Sequence, residues 1–265
     1  MALSDQAIEA GRLGHYRDPT YYDQAYGDRR HDAAYYAALA AAVGGPVLEL
    51  GVGTGRIART IAKHGIEVLG IDDSEPMLAR ARAQTKQEGL EKFVRFRRGD
   101  FRKLRLKGPF SLVIAPFNAF MHLYTRKEWE LTLRGVHRCL RPRGTLAFDV
   151  LLPDPRELAA DPAKVFRSSP VTIEGRRYRY GELFEYDPAR QVQLVTMVFE
   201  AENDPDDVFV QPLSHRQCFP KELEALVSYN GFRIEAHHGG FQGEPLADGC
   251  ESQLIVAKKR AIRRG

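Results

Sequence analysis

The sequence lacks any long hydrophobic run and contains few cysteines. No stretch of about 18 apolar residues occurs, so no membrane-spanning helix is expected. The three cysteines, Cys139, Cys218 and Cys250, are too widely spaced to predict a disulfide framework or a zinc site, and they favour a reducing compartment. The first residues lack the basic segment and apolar stretch of a secretory signal. A cytoplasmic location is therefore expected.

Charge of one sign is also lacking, because 39 Lys and Arg face 35 Asp and Glu, for a formal net charge of +4. Two basic runs, Arg95–Lys107 and Lys258–Gly265, could contact nucleic acid electrostatically. The first alternates with apolar residues, as the solvated face of a strand does, and the second is expected to be a frayed end. No RNA-binding module accompanies them, so nucleic acid is not an expected partner.

A glycine-rich turn dominates what is present. Residues 47–55, V-L-E-L-G-V-G-T-G, form an apolar run that ends in an acid and three alternating glycines. This pattern predicts a strand that enters a tight turn, where a ligand can approach the backbone without meeting a Cβ. Asp72 ends a second apolar run roughly 20 residues after Gly51, the usual offset of a carboxylate that binds a ribose hydroxyl. The pair predicts a nucleotide-cofactor site.

Two residues of this turn discriminate between cofactors. Arg56 stands where the dinucleotide pattern G-x-G-x-x-G has its third glycine, and a bulky residue there opposes close packing of helix on strand. Glu49, just before the turn, would be unfavourable beside a pyrophosphate but favourable beside a cation. S-adenosylmethionine carries a sulfonium and an ammonium group and no phosphate. A nicotinamide oxidoreductase is therefore the weaker hypothesis.

The E-x-G-x-G-x-G turn resembles motif I of the class I S-adenosylmethionine-dependent methyltransferases. Four later segments are similar to that family in order and spacing: D-D-S-E-P-M-L, R-R-G-D-F, F-S-L-V-I-A-P-F-N-A-F-M-H and L-R-P-R-G-T-L-A-F-D-V. In the last of these, Arg143 replaces the usual first glycine. The resemblance implies a methyltransferase that uses S-adenosylmethionine and releases S-adenosylhomocysteine.

The resemblance also implies roles for individual residues. Asp72 would bind the ribose hydroxyls, Asp100 would accept from the adenine amino group, and Phe101 would meet the adenine ring. The complete set of implied cofactor contacts is Tyr26, Glu49, Gly51, Gly53, Thr54, Gly55, Arg56, Asp72, Asp73, Met77, Asp100, Phe101, Ala115, Phe117 and His122. No metal site is expected.

Hydrophobic periodicity and turn residues predict an α/β fold. We expect a Rossmann-like, seven-stranded, mostly parallel sheet with helices on both faces, a small antiparallel β insertion after strand five, and an N-terminal lid. The predicted ranges are 1–36 for the lid, 37–160 for the cofactor-binding core, 161–216 for the insertion, and 217–265 for the last helix and last two core strands. Within them, residues 1–30 are expected to be irregular, and the insertion to hold three strands beginning near Val171.

The insertion, followed by H-R-x-x-F-P-x-E-L, resembles small-molecule N-methyltransferases that act on amino sugars and simple amines. A lid and an inserted sheet would close a chamber that admits a small substrate and excludes protein or RNA. The expected reaction is an in-line displacement at the sulfonium methyl. The expected methyl acceptor is a nitrogen atom. The alternatives are a small-molecule O-methyltransferase, an RNA or protein methyltransferase, and a catalytically silent cofactor-binding partner. A monomer or a homodimer is expected.

Five residues are candidates for catalysis or substrate binding, and each has a simpler alternative. His122 has a suitable ordinary pKa for a base, but it could be only a wall of the cofactor pocket. Tyr26 could close over the methyl group or merely pack. Arg216 could attract an anionic group of the substrate or form a surface salt bridge. Asn118 could bind substrate or cap a helix, and Asp149 could face the chamber or anchor a loop.

Overall fold

The structure is a computed structural model that describes residues 2–261. Its helices are α1 (Asp5–Gly14), α2 (Pro19–Tyr26), α3 (His31–Val43), α4 (Arg56–Ala62), α5 (Glu75–Gln87), α6 (Arg126–Cys139), α7 (Pro155–Leu158) and α8 (Pro220–Tyr229). Its strands are β1 (Val47–Leu50), β2 (Val68–Asp72), β3 (Val94–Arg98), β4 (Phe110–Ala115), β5 (Leu140–Leu151), β6 (Phe166–Ile173), β7 (Arg176–Asp187), β8 (Val192–Ala201), β9 (Val208–Arg216), β10 (Phe232–His238) and β11 (Ser252–Lys259).

The chain divides into two compact units. The small unit comprises Met1–Tyr26 and Pro153–Gln217, and the large unit comprises Gly27–Leu152 and Cys218–Gly265. The range 1–36 that we predicted as a lid is thus divided, because α3 belongs to the large unit. That the N-terminal segment acts as a lid stays a prediction.

The large unit holds the predicted Rossmann-like sheet. In the described part of the chain, seven strands lie in the order β10-β11-β5-β4-β1-β2-β3. The pairs among β1 to β5 are parallel, and β11 runs antiparallel to both β5 and β10. The order reverses between β1 and β4, and open α/β sheets bind ligands at the carboxyl ends of the strands beside such a reversal. The predicted fold class is confirmed.

Helices cover both faces of this sheet because successive strand residues point to opposite sides. Leu48, Leu50 and Val113 pack in one core with apolar residues of α6 and α8. Val47 and Leu112 pack in a second core with residues of α3, α4 and α5. Helix α6 supplies buried residues at helical spacing, Trp129, Leu133 and Val136.

Local sequence signals explain where several of these elements begin and turn. Helix α6 starts with a capping box, in which the Thr125 side chain accepts from the backbone of Glu128 and the Glu128 side chain accepts from the backbone of Thr125. Ser74 caps α5 by accepting from the backbone of Met77. Arg143, which replaces the family's glycine, has φ of +60°, so the turn keeps a left-handed conformation without glycine.

The small unit contains one strand more than the sequence analysis predicted. Its described residues form a four-stranded antiparallel sheet in the order β6-β7-β8-β9. The strand that we missed, β6, is an edge strand with mostly exposed side chains and a proline, Pro170. Because it has no buried face along most of its length, it shows little of the period-two pattern that predicts a strand.

The expectation that residues 1–30 are irregular was wrong. Helices α1 and α2 form there, and Ser4 caps α1 by accepting from the Ala7 N–H at 3.1 Å. Helix α1 packs on β9, where the Ser214 hydroxyl donates to the Ile8 carbonyl at 2.7 Å. The ring of Tyr21 in α2 meets Phe199 edge-on. The tyrosines that made the segment look irregular are therefore packing residues of the small unit.

The C-terminal basic run is not entirely a frayed end. Lys258 and Lys259 belong to β11, and the Lys259 ammonium donates to the carbonyls of His137 and Leu140. Residues 262–265 lie outside the described residues. Among the helices that the structure describes, none is long and apolar enough to span a membrane.

Candidate active site

The glycine turn links β1 to α4 at the carboxyl end of the sheet. Gly51, Gly53 and Gly55 all have positive φ, between +54° and +78°, which disfavours any residue with a Cβ. The turn also lies against the segment after β4, because a Cβ on Gly51 would approach the Ala119 Cβ to 2.9 Å. The structure thus brings together the glycine turn and the segment after β4, two parts of the predicted cofactor site.

Glu49 is buried under this turn with an unsatisfied carboxylate. It is 2% exposed, and its Oε2 atom has no hydrogen-bond partner among residues 2–261. Burial raises the pKa of Glu49 to about 8, against the opposing charges of Arg56 and Arg59. A buried polar group without a partner costs about 1–3 kcal/mol, and a cationic ligand would remove that cost. The chemistry of Glu49 fits the ammonium group of S-adenosylmethionine.

Asp72 ends β2 next to the glycine turn. Its two carboxylate oxygens accept from the backbone of Gly53 at 2.8 Å and of Ser74 at 2.9 Å. Burial raises its pKa to about 6, although these backbone hydrogen bonds act in the opposite direction. Each oxygen has a second lone pair, so the carboxylate can also accept from ribose hydroxyls. The neighbouring Asp73 uses its carbonyl to accept from Arg98.

Asp100 follows β3, and its carboxylate already has a partner. Arg102 donates to both of its oxygens, each at 2.9 Å. Burial disfavours the charged carboxylate, but the hydrogen bonds from Arg102 outweigh this effect and lower the pKa of Asp100. The ring of Phe101 is partly buried and lies near the ring of Phe120. The adenine contact implied for Asp100 would therefore share the carboxylate with Arg102.

Arg56 directs its guanidinium to α3 and the segment before it. It makes two hydrogen bonds to Asp32, at 2.6 and 2.7 Å, and a third to the Arg29 carbonyl. Thr54 is buried, and its carbonyl accepts from Arg59. The side chain of Met77 is buried at the start of α5. These residues surround the glycine turn. If Arg56 contacts the cofactor directly, its guanidinium must bind the cofactor and Asp32 at the same time.

The segment after β4 makes an unusual turn. Ala115 is the buried last residue of β4, and Phe117 and Asn118 both have left-handed backbones, with φ of +52° and +64°. The Oδ1 atom of Asn118 is buried, makes no capping hydrogen bond, and has no partner in the described part of the chain. The cap that we considered for Asn118 is thus not formed, and its amide oxygen keeps an unused capacity to accept a hydrogen bond.

His122 ends the short 3₁₀ helix Ala119–His122, which follows this turn. The His122 ring is partly buried, and its Nδ1 lies 3.2 Å from the Tyr124 hydroxyl. The other two substrate-side candidates, Tyr26 and Arg216, belong to the small unit. The Tyr26 ring contacts His15 and Tyr22.

Arg216 ends β9 and is held by residues of the small unit. Its guanidinium donates to the Gln191 side chain at 2.7 Å and to the Gln217 carbonyl. Neither acceptor carries a charge. That Arg216 attracts an anionic group of the substrate stays a prediction.

Two functional candidates were underestimated or missed. Asp149, which we placed either in the chamber or at a loop, accepts from the Phe117 N–H and so anchors the turn after β4. Tyr36 of α3 was not considered at all, yet its hydroxyl donates to Asp149 at 2.6 Å. These residues are 113 positions apart, so no local pattern could have paired them. The only signal was a charged residue, Asp149, within the otherwise apolar residues 146–151 of β5.

The class of protein follows from this arrangement. A parallel sheet carries a three-glycine turn, a buried acid complementary to an ammonium, and an acid at the end of β2 where a ribose would be bound. Residues 47–144 match the family model described as "Methyltransferase domain". The chain therefore carries a methyltransferase domain over these residues, and it is an S-adenosylmethionine-dependent methyltransferase, as the sequence predicted.

Individual relatives extend the similarity to most of the chain. Cypemycin N-terminal methyltransferase from a Streptomyces species is 25% identical over 232 residues, which are 82% of this chain and 84% of that protein. The structure of the CcbJ methyltransferase from Streptomyces caelestis is 25% identical, with a TM-score of 0.79 and coverage of 97% of this chain and 100% of that one. The amino pentose methyltransferase CalS10 from Micromonospora echinaspora shares the fold, with 22% identity, a TM-score of 0.67, and coverage of 98% and 99%.

Proposed function

We propose that this enzyme methylates a nitrogen atom of a small molecule. The observation that carries the proposal is the similarity over most of both chains to cypemycin N-terminal methyltransferase, whose name places the methyl group at an N-terminus, where the nucleophile is an amine. The amino pentose methyltransferase CalS10, which shares the fold, is also named for an amine-bearing substrate. Both similarities include the small unit, which lies outside the matched methyltransferase domain.

The side chains around the glycine turn support cofactor binding in this proposal. Glu49 would face the ammonium group, Asp72 the ribose hydroxyls, and Asp100 with Phe101 the adenine. Gly51, Gly53 and Gly55 would allow close approach of the backbone, since none of them presents a Cβ. When bound, S-adenosylmethionine supplies an electrophilic methyl group on a positively charged sulfur.

The segment after β4 supports the handling of the acceptor. The buried Asn118 Oδ1 can accept from an N–H of the substrate and so orient the nitrogen lone pair. An amine attacks only as the free base, so one proton must leave a protonated substrate before the nitrogen–methyl bond forms. His122 is the candidate acceptor of that proton, and its Nδ1 lies beside the Tyr124 hydroxyl. Tyr26 and Arg216 stay proposed contacts of the substrate.

The test is transfer of a labelled methyl group from S-adenosylmethionine into a native cell extract that is then separated into small molecules, RNA and protein. We expect label in the small-molecule fraction. With a ¹³C-methyl donor, the carbon chemical shift of the product distinguishes N-methyl from O-methyl. An O-methyl product would contradict the choice of nitrogen, and label only in RNA or protein would contradict the small-molecule acceptor.

A cytoplasmic location, a monomeric or homodimeric state, and exclusion of nucleic acid belong to the same proposal. They rest on the sequence analysis. The extract experiment addresses the last of them directly, because methylated RNA would appear in its own fraction.

A further inference from the structure

One buried side-chain pair, formed by two residues far apart in the sequence of the large unit, is hydrogen-bonded to the turn after β4. Asp149 lies in the buried part of β5, and Tyr36 lies in the middle of α3; they are 3% and 0% exposed. The Tyr36 hydroxyl donates to Asp149 Oδ1 at 2.6 Å. The same carboxylate accepts from the Phe117 N–H, at 3.0 Å to Oδ1 and 3.1 Å to Oδ2.

The backbone of Asp149 contributes a further contact to the turn. Its carbonyl accepts from the Asn118 N–H at 3.2 Å. Consecutive N–H groups of Phe117 and Asn118 therefore both point at Asp149. Both residues of this turn also have left-handed backbones, a conformation that residues other than glycine rarely adopt without support from their surroundings.

This turn lies at the predicted cofactor. Phe117 is among the residues that the family resemblance assigns to the cofactor, and the adjoining Ala119 lies against Gly51 of the glycine turn. The Asn118 Oδ1 atom is buried and has no hydrogen-bond partner in the described chain. A rotation of this backbone would also change the direction of that amide oxygen.

We propose that Asp149 and Tyr36 are positioning residues that hold Phe117 and Asn118 in the conformation that binds the methyl donor. Neither side chain touches the donor in this account; they act through the backbone of the turn. The inference rests on the proposed placement of the cofactor beside Phe117.

The charged neighbours of Asp149 make the proposal testable by pH. Burial raises the pKa of Asp149 to about 6, against the hydrogen bonds from Tyr36 and Phe117; Asp32 raises it further, and Arg29 lowers it. Asp32 is itself bound by Arg56, and the Arg29 guanidinium lies over the Phe117 ring. Below pH 6 a protonated Asp149 would become a donor and lose acceptor capacity for Tyr36 and Phe117.

The experiment measures the dissociation constant of S-adenosylmethionine by calorimetry for the wild type, Tyr36→Phe and Asp149→Asn. Ser111→Ala is the matched control, because Ser111 lies at the other end of β4, is fully buried, and donates a hydroxyl hydrogen bond to the Gly45 carbonyl at 2.6 Å. We expect about tenfold weaker binding in Tyr36→Phe and Asp149→Asn at pH 7.5. In Ser111→Ala we expect a change within about twofold, because the lost hydrogen bond does not position the turn.

A pH series separates Asp149 from the other acids of the site. The ratio of the Asp149→Asn dissociation constant to that of the wild type should approach one as pH falls through about 6, since the wild type then loses the same acceptor. Glu49 and Asp72 are present in both proteins, so their titration cancels in the ratio. A ratio independent of pH would overturn the proposal.

The fluorescence of Trp129 distinguishes the two ways in which the proposal can fail. Trp129 is the single tryptophan of the sequence, and its ring contacts Phe120, which follows the turn. Unchanged emission and unchanged binding in both variants would show that the pair does not position the turn. Changed emission with unchanged binding would show that the turn moves but does not contact the cofactor. Equally weakened cofactor binding in Ser111→Ala would show that the loss of affinity in the other variants reflects general destabilisation.

Discussion

The two units differ in where they keep their acidic side chains. In the large unit, Glu49, Asp72 and Asp149 lie at the carboxyl ends of β1, β2 and β5, and burial raises the pKa of each. In the small unit, several acids form ion pairs with arginines at the surface, whereas Asp187 and Glu182 of β7 accept from the Leu3 N–H and the Tyr180 hydroxyl. Examples of these ion pairs are Arg167 with Glu200 at 3.0 Å and Arg177 with Glu202 at 3.2 Å.

Buried carboxylates lower the stability of the fold, whereas exposed carboxylates in ion pairs do not. A buried carboxylate is tolerated where a ligand or a specific hydrogen-bond donor needs it, and such perturbed groups concentrate at functional sites. An exposed ion pair contributes little, because solvent and salt screen it. The carboxyl ends of the parallel strands are thus the edge of the large unit where we propose the active site, and the exposed pairs of the small unit are a solvated surface.

The largest effect is expected from filling the glycine turn. In Gly53→Trp the φ of +54° becomes unfavourable, the Gly53 N–H loses its geometry to Asp72, and the side chain occupies the ligand's space. We expect cofactor binding by calorimetry to be lost. Tyr229→Trp is the control, because Tyr229 is 91% exposed. Unchanged methyl transfer in Gly53→Trp would mean that the site is not at this edge.

A second test compares the substrate-side candidates of the two units. If His122 accepts the proton, His122→Ala should lower turnover about 100-fold or more, with a much smaller change in cofactor affinity. If Arg216 binds an anionic group of the acceptor, Arg216→Ala should instead raise the KM for that acceptor. Both are measured by methyl transfer to the small molecule that the extract experiment identifies.

Equal losses of turnover and cofactor affinity in His122→Ala would make His122 a wall of the pocket rather than a base. A KM unchanged in Arg216→Ala would remove Arg216 from the site. Arg216→Lys serves as its charge-preserving control, because it keeps the positive charge but not the planar guanidinium.

A moderate effect is expected from the buried acid under the glycine turn. Burial raises the pKa of Glu49 to about 8, so the carboxylate is largely protonated at pH 6 and increasingly ionised towards pH 8. Affinity for the cationic cofactor should therefore rise across this range, by about tenfold per pH unit if only the ionised form binds. Calorimetry on Glu49→Gln should show this dependence reduced. The same slope in both proteins would show that Glu49 does not face the ammonium group.

The smallest effect is expected from the exposed ion pairs. Hydrogen bonds from Arg167 lower the pKa of Glu200, but the pair is solvated. Glu200→Gln should shift the melting temperature by no more than about 2 °C, and less in high salt. Thermal denaturation at low and high salt measures this. A large, salt-independent loss would break the contrast between the two units.

Local patterns were sufficient to predict much of the fold and the cofactor turn. The alternation of apolar runs with helical periods predicted the sheet of the large unit, which is confirmed. That the three glycines and Asp72 mark its ligand-binding edge stays a prediction. The sequence failed where the pattern was weak: β6 is exposed along most of its length, and Tyr21 of α2 packs on Phe199, which no short window reveals.

By itself, the sequence determined the class of protein, because turn chemistry and strand periodicity are local properties that neighbouring residues encode. Only the tertiary structure decided which side chains share a carboxylate. Arg56 is held by Asp32, Asp100 by Arg102, and Asp149 by Tyr36 and Phe117. Most of these partners come from different elements, so their pairing depends on how helices pack on the sheet. Burial then sets the charge of the acids, since desolvation acts only once the chain has folded.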